Sequence, residues 1–437
     1  MVAKVSVVGA GRSGAVTAAC LAGLGHTVCA VDVNEARVAE LRRGKAPFYE
    51  PGLDGLLRQN LAARRLSFTT SFEEAIPEAR CVLLSVDTPA APDGQADLRS
   101  LSAAIRDLAP LLARGALVIT RSTVPPGTNA WVAQQIRAEN PHAAFDVVSN
   151  PEFLREGHAV DDFLRPERVV IGAETEGVAK EAALLYEGME APIILTDLAT
   201  AELIKYAANA FLATSVSFVN EIANICERAG ADVSLVEEAL RLDRRIGPQA
   251  YLAPGLGFGG SCLPKDLRAL ISSAERLGYD ARLLKAVREV NELQPARILG
   301  FLEDVFGSID GLTVGVLGLS FKGNTFDVRS SPALSLIERL AAAGARVRAF
   351  DPLADGSERE EVERLAELGP DAYRTAQGCD AVVVAAEHNE FRSLDLQRLR
   401  HAMQSGVLID ARNVLDADAV TSAGFTYFGI GRPRRGD

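Results

Sequence analysis

A strand, a glycine-rich turn, a helix and a second strand ending in an acid are predicted within the first 32 residues, and this order most constrains the fold. Residues 5–8 and 27–31 are apolar runs typical of buried parallel strands. The turn between the first strand and the helix has glycine at the three positions of a GxGxxG motif, Gly9, Gly11 and Gly14. Glycine there permits a tight turn, close approach of a pyrophosphate and close packing of the helix on the strand. The pattern predicts a dinucleotide-binding Rossmann domain.

The same segment indicates which dinucleotide binds. Asp32 ends the second strand, where its carboxylate is expected to accept hydrogen bonds from the adenosine ribose and to repel a 2′-phosphate. NAD is therefore favoured over NADP. The free amides of the helix that starts at this turn face the phosphates, and we expect Arg12, Ser13 and Arg37 to contact the cofactor as well.

Hydroxyl side chains lie at the ends of two later strands, predicted at residues 81–86 and 117–120. Ligands of open α/β sheets bind beyond the carboxyl ends of the strands. We expect contacts with cofactor or substrate from four residues: Ser85, Thr88, Ser122 and Thr123. The alternative for each hydroxyl is ordinary turn or helix-capping chemistry.

Two carboxylates four residues apart, Glu152 and Glu156, follow the strand predicted at residues 145–148. They suit water activation or ligand contact, and solvation at the surface is the alternative. Phe153 and Leu154 lie between them and are expected to contact the substrate.

A long helix is predicted from residue 200 to 229, where glycine and proline are absent and apolar residues recur at helical spacing. Lys205 and Asn209 share one face because they are four residues apart. Their ammonium and carboxamide groups can both donate to a developing oxyanion, with a solvated helix face as the alternative. So apolar a helix also predicts a subunit interface and a homodimer.

One cysteine differs from the other five in its surroundings. Cys262 lies in a glycine-rich stretch, residues 257–266, and is followed closely by Lys265 and Asp266. Nearby cations and amide dipoles favour a thiolate, so Cys262 is predicted to be a nucleophile. The remaining cysteines lie in apolar runs and are expected to be buried thiols.

The last third of the chain repeats the α/β pattern without a GxGxxG motif. Strands are predicted at residues 313–319, 346–350, 381–385 and 407–409. Three cations follow strand ends in this part, Lys322, Arg329 and Arg412. Together they predict a site for a nucleotide diphosphate, although each alone is compatible with a surface charge.

Composition and length exclude several classes of protein. A chain of 437 residues is expected to form two or three domains, and we place them at 1–198 for NAD, 199–300 for the central helices and 301–437 for the nucleotide. The net charge of −12 argues against nucleic acid as a partner. The five histidines lack metal-ligand spacing, so no metal is expected. Because no run is apolar enough to span a bilayer, we expect no membrane contact and a cytoplasmic location.

These motifs, in this order, resemble those of the UDP-glucose/GDP-mannose dehydrogenase family from end to end. The resemblance rests on five stretches: residues 257–266, 122–125 and 150–157, the Lys205 and Asn209 pair, and Phe321 with Lys322. It implies an α/β fold with two Rossmann-like doubly wound domains joined by a central helical domain with one long helix. It also implies oxidation of the C6 alcohol of a nucleotide sugar to a carboxylate, with two NAD used per turnover.

The resemblance also implies roles for individual residues. Cys262 forms a thiohemiacetal and then a thioester, and Lys205 and Asn209 stabilise the oxyanion. Three residues hold the water used in the general-base and hydrolysis steps: Asp266, Glu152 and Thr123. Glu156 lies near the nicotinamide, and Arg329 reaches towards the cofactor pyrophosphate or the partner domain. The substrate contacts include Arg245, Tyr251, Phe258, Gly259, Phe321, Lys322 and Arg412.

The sequence departs from the family pattern at three places. Arg12-Ser13 replaces the usual Tyr-Val, Asp87 replaces a neutral residue, and Phe326 interrupts a pair of acids. None of these changes removes a catalytic group, so they affect the expected cofactor affinity and not the expected chemistry.

The resemblance favours UDP-glucose as the substrate, on residues 244–247 and 427–432. GDP-mannose and UDP-N-acetylhexosamines are alternatives. Two other classes stay open from the residues alone, a two-electron hydroxyacid dehydrogenase and a non-catalytic NAD-binding protein. Neither of these explains why Cys262, Lys205, Asn209 and Asp266 occur together.

Overall fold

The structure is a computed structural model that describes residues 2–325, 327–354 and 356–436. The chain divides into two compact units. The first comprises Met1–Ala208 and Arg268–Tyr279, and the second comprises Asn209–Leu267 and Asp280–Asp437. Phe326, one of the three departures from the family pattern, lies outside the described residues.

The first unit contains an eight-stranded sheet in the order β3-β2-β1-β4-β5-β6-β7-β8. Its strands are β1 Lys4–Val8, β2 Thr27–Val31, β3 Leu66–Thr69, β4 Cys81–Leu84, β5 Ala116–Thr120, β6 Phe145–Ser149, β7 Val169–Ala173 and β8 Ile193–Thr196. All neighbours pair in parallel except β6 and β7. The first six strands therefore have the order of a dinucleotide-binding sheet.

Helices follow most strands of this sheet. They are α1 Arg12–Gly23, α2 Glu35–Arg42, α3 Leu53–Ala62, α4 Phe72–Ala75, α5 Arg99–Leu108, α6 Thr128–Glu139, α7 Ala159–Leu164 and α8 Glu176–Ala183. Two separate clusters of buried apolar side chains pack on the sheet. This arrangement explains why the strands are apolar throughout rather than alternating, since parallel sheets are covered on both faces.

The middle of the chain is helical. The helices are α9 Leu198–Ala229, α10 Val233–Leu242, α11 Leu263–Arg276, α12 Arg282–Leu293 and α13 Ala296–Phe306. Helix α9 has 32 residues and no glycine or proline to interrupt it. It begins two residues before the predicted start at residue 200 and ends where predicted.

The second unit contains a six-stranded parallel sheet in the order β11-β10-β9-β12-β13-β14. Its strands are β9 Thr313–Leu317, β10 Arg346–Phe350, β11 Glu367–Leu368, β12 Ala381–Val384, β13 Val407–Asp410 and β14 Thr426–Gly429. The helices of this part are α14 Pro332–Ala342, α15 Gly356–Glu363, α16 Ala372–Thr375, α17 Asn389–Arg392, α18 Leu396–Ala402 and α19 Ala417–Ser422. The strand order matches that of β1 to β6, which confirms the predicted fold class of two Rossmann-like sheets and a central helical part.

The turn after the first strand is the same in both sheets, although only the first has the GxGxxG motif. Gly9 and Gly318 have φ of +92° and +95°. Each donates its N–H to the last carbonyl of the neighbouring strand, at 2.8 and 2.7 Å. A Cβ at Gly9 would lie 2.6 Å from the Ser85 carbonyl oxygen, and one at Gly318 would lie 2.5 Å from Cβ of Ala386. Both turns thus require glycine for conformation and for space.

We expect Gly318→Ala to destabilise the protein more than Gly378→Ala. Both positions have positive φ, +95° and +70°, so each alanine carries a left-handed penalty of about 1 kcal/mol. Only at position 318 does the new methyl also meet neighbours, including the Ala386 amide nitrogen at 2.7 Å, which adds roughly 1–3 kcal/mol. Urea unfolding measures the difference, and equal losses would contradict it.

Candidate active site

The glycine turn of the first unit leaves space at one position. A Cβ on Gly14 would lie 1.8 Å from the Gly9 carbonyl oxygen, so Gly14 is required for packing of α1 on β1. A Cβ on Gly11 would have no atom within 4 Å. Ser85 Oγ, which is buried beside this turn, has no hydrogen-bond partner among the described residues. The turn therefore has open space beside Gly11 for a ligand and, at Ser85, a buried hydroxyl that lacks a hydrogen-bond partner among the described residues.

Asp32 is joined directly to this turn. Its carboxylate accepts hydrogen bonds from the backbone N–H groups of Ala10, at 2.7 Å, and Asn34, at 2.9 Å. Arg37 donates to the same carboxylate at 2.9 Å. These contacts keep an acid and a cation beside the start of α1, where the sequence predicted cofactor contacts.

Arg12, one of the departures from the family pattern, forms an ion pair with Glu156. Its guanidinium also lies 5.5 Å from the centre of the Phe48 ring. The unusual arginine thus binds Glu156, the acid predicted to lie near the nicotinamide. Asp87, another departure, is exposed, so its charge stays solvated.

The four predicted hydroxyl residues occupy neighbouring turns. Ser122 Oγ donates to the Val86 carbonyl at 2.6 Å, and Thr88 Oγ1 donates to the Thr123 carbonyl at 2.8 Å. These bonds tie the turn after β4 to the turn after β5. Ser122 and Thr88 therefore have structural partners, in keeping with the alternative considered for them.

Glu152 and Lys205 approach each other in the first unit. Lys205 Nζ lies 3.6 Å from Glu152 Oε1 and 5.3 Å from the centre of the Phe153 ring. The second carboxylate oxygen of Glu152 accepts the Leu154 N–H at 2.6 Å. Lys205 is 5% exposed, and a buried ammonium held near a carboxylate suits stabilisation of a negative charge.

Cys262 directly precedes helix α11, and its carbonyl accepts the Asp266 N–H at 2.8 Å. Its side chain is exposed and lies 3.6 Å from Ser261 Oγ. A helix amino terminus favours an anion, and α11 is long enough for this effect. Of the other cysteines, Cys29 is only half-buried, while the remaining four are buried as predicted. The structure therefore distinguishes Cys262 in the same way as the sequence.

Asp266 lies one turn after the cysteine and is buried, at 1% exposure. Asn209 Nδ2 donates to one carboxylate oxygen at 2.5 Å, and Lys265 Nζ donates to the other at 2.6 Å. The structure thus joins Asn209 and Asp266 by a hydrogen bond, although the sequence analysis gave them separate roles. A buried carboxylate requires such donors.

Three carboxamide side chains that sequence reasoning missed hold the loop before Cys262. Asn291 accepts the Phe258 N–H at 2.7 Å and donates to its carbonyl at 3.0 Å. Asn220 accepts the Gly255 N–H at 2.8 Å, and Gln294 donates to the Gly255 carbonyl at 3.0 Å. We call Asn220, Asn291 and Gln294 the carboxamide clamp. The one sequence signal that could have identified them is the presence of amide side chains in or next to largely apolar or amphipathic helices.

Phe321 packs against the glycines of the cysteine loop. A Cβ on Gly260 would lie 2.8 Å from the Phe321 ring, and one on Gly259 would lie 2.9 Å from the Phe321 Cβ. Arg412 donates to the Phe321 carbonyl at 3.2 Å and to the Ala385 carbonyl at 3.0 Å. Burial lowers the pKa of the Arg412 guanidinium. The structure thus joins Phe321, Arg412 and the cysteine loop.

Two of the other predicted contacts of the second unit, Arg329 and Arg245, each have an acid partner two residues away in the chain. Arg329 binds Asp327 through Nε at 2.9 Å, and Arg245 binds Asp243 through Nε at 3.0 Å. Lys322 is half-buried, and Tyr251 is 54% exposed. Lys322 directly follows Phe321 in the chain, and Arg329 is engaged by an acid of its own loop.

A second cluster missed from the sequence supports the turn after β9. His388 Nε2 lies 3.1 Å from both Ser320 Oγ and Asp351 Oδ2. Its Nδ1 accepts the Asn324 N–H at 3.1 Å. A catalytic triad needs the acid and the serine on different ring nitrogens, so this cluster is not a triad. It holds the loop that carries Phe321.

Glu202 of helix α9 was also missed. It accepts the Gly127 N–H at 2.6 Å and both the N–H and the side-chain amide of Asn129 at 2.7 Å. Burial raises the pKa of Glu202, and the amide donors offset part of this effect. Glu202 thus fixes the start of α6, the helix that follows the Thr123 turn.

Comparison with known families covers the chain in three consecutive matches. Residues 3–190 match the UDP-glucose/GDP-mannose dehydrogenase family, NAD binding domain; residues 199–293 match its central domain; and residues 315–417 match its UDP binding domain. The chain belongs to this family.

Individual dehydrogenases of the family are similar over nearly the whole chain. UDP-glucose 6-dehydrogenase TuaD of Bacillus subtilis (strain 168) is 42% identical over 431 residues, covering 98% of this chain and 93% of the relative. UDP-glucose 6-dehydrogenase of Rhizobium meliloti (strain 1021) is 43% identical, covering 98% and 100%. The structure of a UDP-glucose dehydrogenase from the archaeon Pyrobaculum islandicum superimposes with a TM-score of 0.92 at 40% identity, covering 99% and 98%.

Membership of the dehydrogenase family gives the cofactor as NAD, and the residues of the first unit fit it. The open space at Gly11 and the unsatisfied Ser85 hydroxyl lie at one turn, next to the Asp32 carboxylate. Among the described residues, no group of three histidine, cysteine, aspartate or glutamate side chains has the arrangement of a metal site. Likewise, none of the helices in the described ranges has the length and apolar character needed to cross a bilayer.

We expect Gly11→Ala and Gly14→Ala to fail in different ways. The methyl at position 11 enters open space, so stability is unchanged, while NAD affinity falls about tenfold or more because the pyrophosphate can no longer approach the backbone. The methyl at position 14 meets the Gly9 carbonyl at 1.8 Å, so the fold itself is destabilised. Thermal unfolding without NAD and calorimetric titration with NAD separate the two effects. Equal stability losses would contradict this assignment.

Proposed function

We propose that this chain is an NAD-dependent UDP-glucose 6-dehydrogenase that oxidises the C6 alcohol to the carboxylate of UDP-glucuronate. The observation that carries the proposal is the exposed Cys262 at the start of α11, with Asp266 buried one turn later. A two-electron hydroxyacid dehydrogenase has no use for this nucleophile. The names of the similar dehydrogenases support UDP-glucose over GDP-mannose or UDP-N-acetylhexosamines.

Cys262 provides the covalent attachment between two oxidations. When bound, NAD would supply the acceptor for the hydride released in each of them. The sulfur of Cys262 adds to the aldehyde carbon, and a proton goes to the carbonyl oxygen, which gives a thiohemiacetal. Loss of the hydride on this carbon and of the hydroxyl proton then gives a thioester. Water then loses a proton to the general base and attacks the carbonyl carbon. The C–S bond breaks, the thiolate returns to Cys262, and the acid loses its second proton to solvent and leaves as a carboxylate.

Lys205 and Asn209 are proposed to stabilise the negative charge that develops on the substrate oxygen. They are four residues apart on α9, so they share one helix face. The Asn209 hydrogen bond to Asp266 fixes the carboxamide and leaves one N–H to donate. Lys205 serves as a point charge, which explains how the reaction proceeds without a histidine.

Glu152, Thr123 and Asp266 are proposed to hold the water of the general-base and hydrolysis steps. Glu152 has a polar partner on each carboxylate oxygen, Lys205 and the Leu154 N–H. These partners hold the carboxylate in place, and a carboxylate so held can accept a proton from water.

The remaining assignments follow the motifs. Glu156 and Arg329 are proposed to contact the cofactor. Glu156 belongs to the NAD domain, 1–198, and Arg329 belongs to the nucleotide domain, 301–437. The nucleotide sugar is proposed to contact Phe153, Leu154, Arg245, Tyr251, Phe258, Gly259, Phe321, Lys322 and Arg412. Domain 199–300 supplies Asn209 and Cys262. A cytoplasmic location is part of the same proposal, because NAD and nucleotide sugars are available there.

We expect two NADH for each UDP-glucose when the sugar is limiting and NAD is in excess. Cys262→Ser is expected not to complete turnover, because an alkoxide is a poor leaving group and no thioester forms. Cys29→Ser is the matched control, since Cys29 is a half-buried cysteine far from these roles in sequence, and it should keep the yield of two. NADH formation is followed by absorbance.

Other yields have definite meanings. No NADH from UDP-glucose, with NADH from GDP-mannose or UDP-N-acetylmannosamine, transfers the proposal to that sugar. A yield of one NADH that Cys262→Ser leaves unchanged rejects the thioester mechanism.

We also propose that the enzyme is a homodimer formed through α9. Phe211, Phe218 and Ile225 are 71%, 46% and 56% exposed. Because they are spaced by seven residues, they lie on one face of the helix. The segment from 211 to 220 has no charged residue. A second copy of the same apolar face is the partner that matches it in a symmetric dimer.

We expect Phe211→Asp to convert the dimer into a monomer, because a pair of buried carboxylates opposes association. Leu277→Asp is the control, since Leu277 is 81% exposed but lies outside α9. Light scattering after size exclusion gives both masses. A Phe211→Asp protein with dimer mass, or equal dissociation of both variants, would reject the interface.

A further inference from the structure

Arg121 is a buried cation that has no acid partner among the described residues. It is 4% exposed and directly follows β5. Its Nη1 donates to Asn150 Oδ1 and to the Tyr186 hydroxyl, both at 2.7 Å, and its guanidinium lies 5.5 Å from the Phe163 ring. No carboxylate in the described ranges forms an ion pair with it, and its Nε is buried with no hydrogen-bond partner there. Burial of an unpaired charge lowers the stability of the fold. We therefore expect this arrangement to serve a function.

Asn150 connects this cation to three strands. Its N–H donates to the Thr120 carbonyl, at the end of β5, at 2.9 Å. Its side-chain amide donates to the Val170 carbonyl of β7 at 2.8 Å, and the Tyr186 hydroxyl donates to its Oδ1. Burial raises the pKa of Tyr186, so its hydroxyl stays protonated as a donor. The three side chains thus form a closed network across the ends of β5, β6 and β7.

This network spans the two turns that carry the proposed water ligands. Thr123 is two residues beyond Arg121, and Glu152 is two residues beyond Asn150. We propose that Arg121, Asn150 and Tyr186 are positioning residues that set the separation of Thr123 and Glu152 for thioester hydrolysis. This inference rests on the proposed function. It adds that three buried side chains control the rate of thioester hydrolysis.

Hydrolysis is the step most sensitive to this separation. In it the water oxygen forms the new C–O bond, the C–S bond to Cys262 breaks, and a water proton passes to the base. In the earlier steps the same water only relays a proton. A nucleophile misplaced by about 1 Å loses roughly 100-fold in rate, whereas a relay through water tolerates more displacement. Disturbing the network should therefore slow hydrolysis and leave the acyl group on Cys262.

The test compares Tyr186→Phe and Arg121→Lys with wild type and with Arg65→Lys. Arg65 is a matched control, because it donates to Asn60 Oδ1 at 3.0 Å in the same unit, and Asn60 is also a fully buried asparagine. Tyr186→Phe removes one hydroxyl and keeps the ring, so it retains the fold if Arg121→Lys does not. The readouts are the NADH burst per site, steady-state kcat and KM, intact mass and urea stability.

We expect kcat to fall about tenfold in Tyr186→Phe and about 100-fold in Arg121→Lys, with KM falling in step so that kcat/KM stays within about twofold of wild type. Both variants should keep a burst of two NADH per site and accumulate a mass adduct that Cys262→Ser abolishes. Arg65→Lys should lose stability without an adduct.

If wild type gives two NADH per sugar, three results contradict the positioning role and leave the proposed function intact. They are no adduct in either variant, an equal adduct in Arg65→Lys, or a burst that falls in step with kcat. A wild-type yield of one NADH overturns the proposed function, and the inference with it.

Discussion

Parallel pairing of neighbouring strands places the carboxyl ends of β1 to β6 at one edge of the first sheet, and those of β9 to β14 at one edge of the second. Most of the polar groups with a proposed role follow one of these ends. The same constraint forces the chain to turn sharply after β1 and β9, which is why Gly9 and Gly318 share one conformation. The proposed sites at both edges thus depend on backbone hydrogen bonds in which no proposed catalytic side chain takes part.

Patterns that repeat locally were readable from the sequence. The apolar runs predicted the strands, the absence of glycine and proline predicted α9, and the GxGxxG spacing predicted the turn that leaves Gly11 open. Motif order was enough to assign the family and to select Cys262, because a cysteine among glycines differs from cysteines in apolar runs.

The supporting contacts were not readable in this way. The carboxamide clamp joins residues 33 to 39 positions apart, and His388 is 68 positions from Ser320. Such pairs have no period, and an asparagine in an apolar helix has the same sequence signal whether it faces a ligand or a carbonyl. Arg121 was passed over for the same reason, since only the folded sheet shows that it is buried. The sequence thus pointed to the proposed reacting groups, and the fold was needed to find the contacts that hold them.

The carboxamide clamp has a further consequence. During the proposed cycle the sulfur of Cys262 alternates between an anion and a neutral acyl group, so the local field changes twice in every turnover. Neutral amide groups do not titrate, and their hydrogen bonds respond weakly to ionic strength. A loop held by charged side chains would shift its preferred position with each change. The loop before Cys262 is held by Asn220, Asn291 and Gln294 instead. Its position therefore does not respond to the charge that forms and disappears on the sulfur.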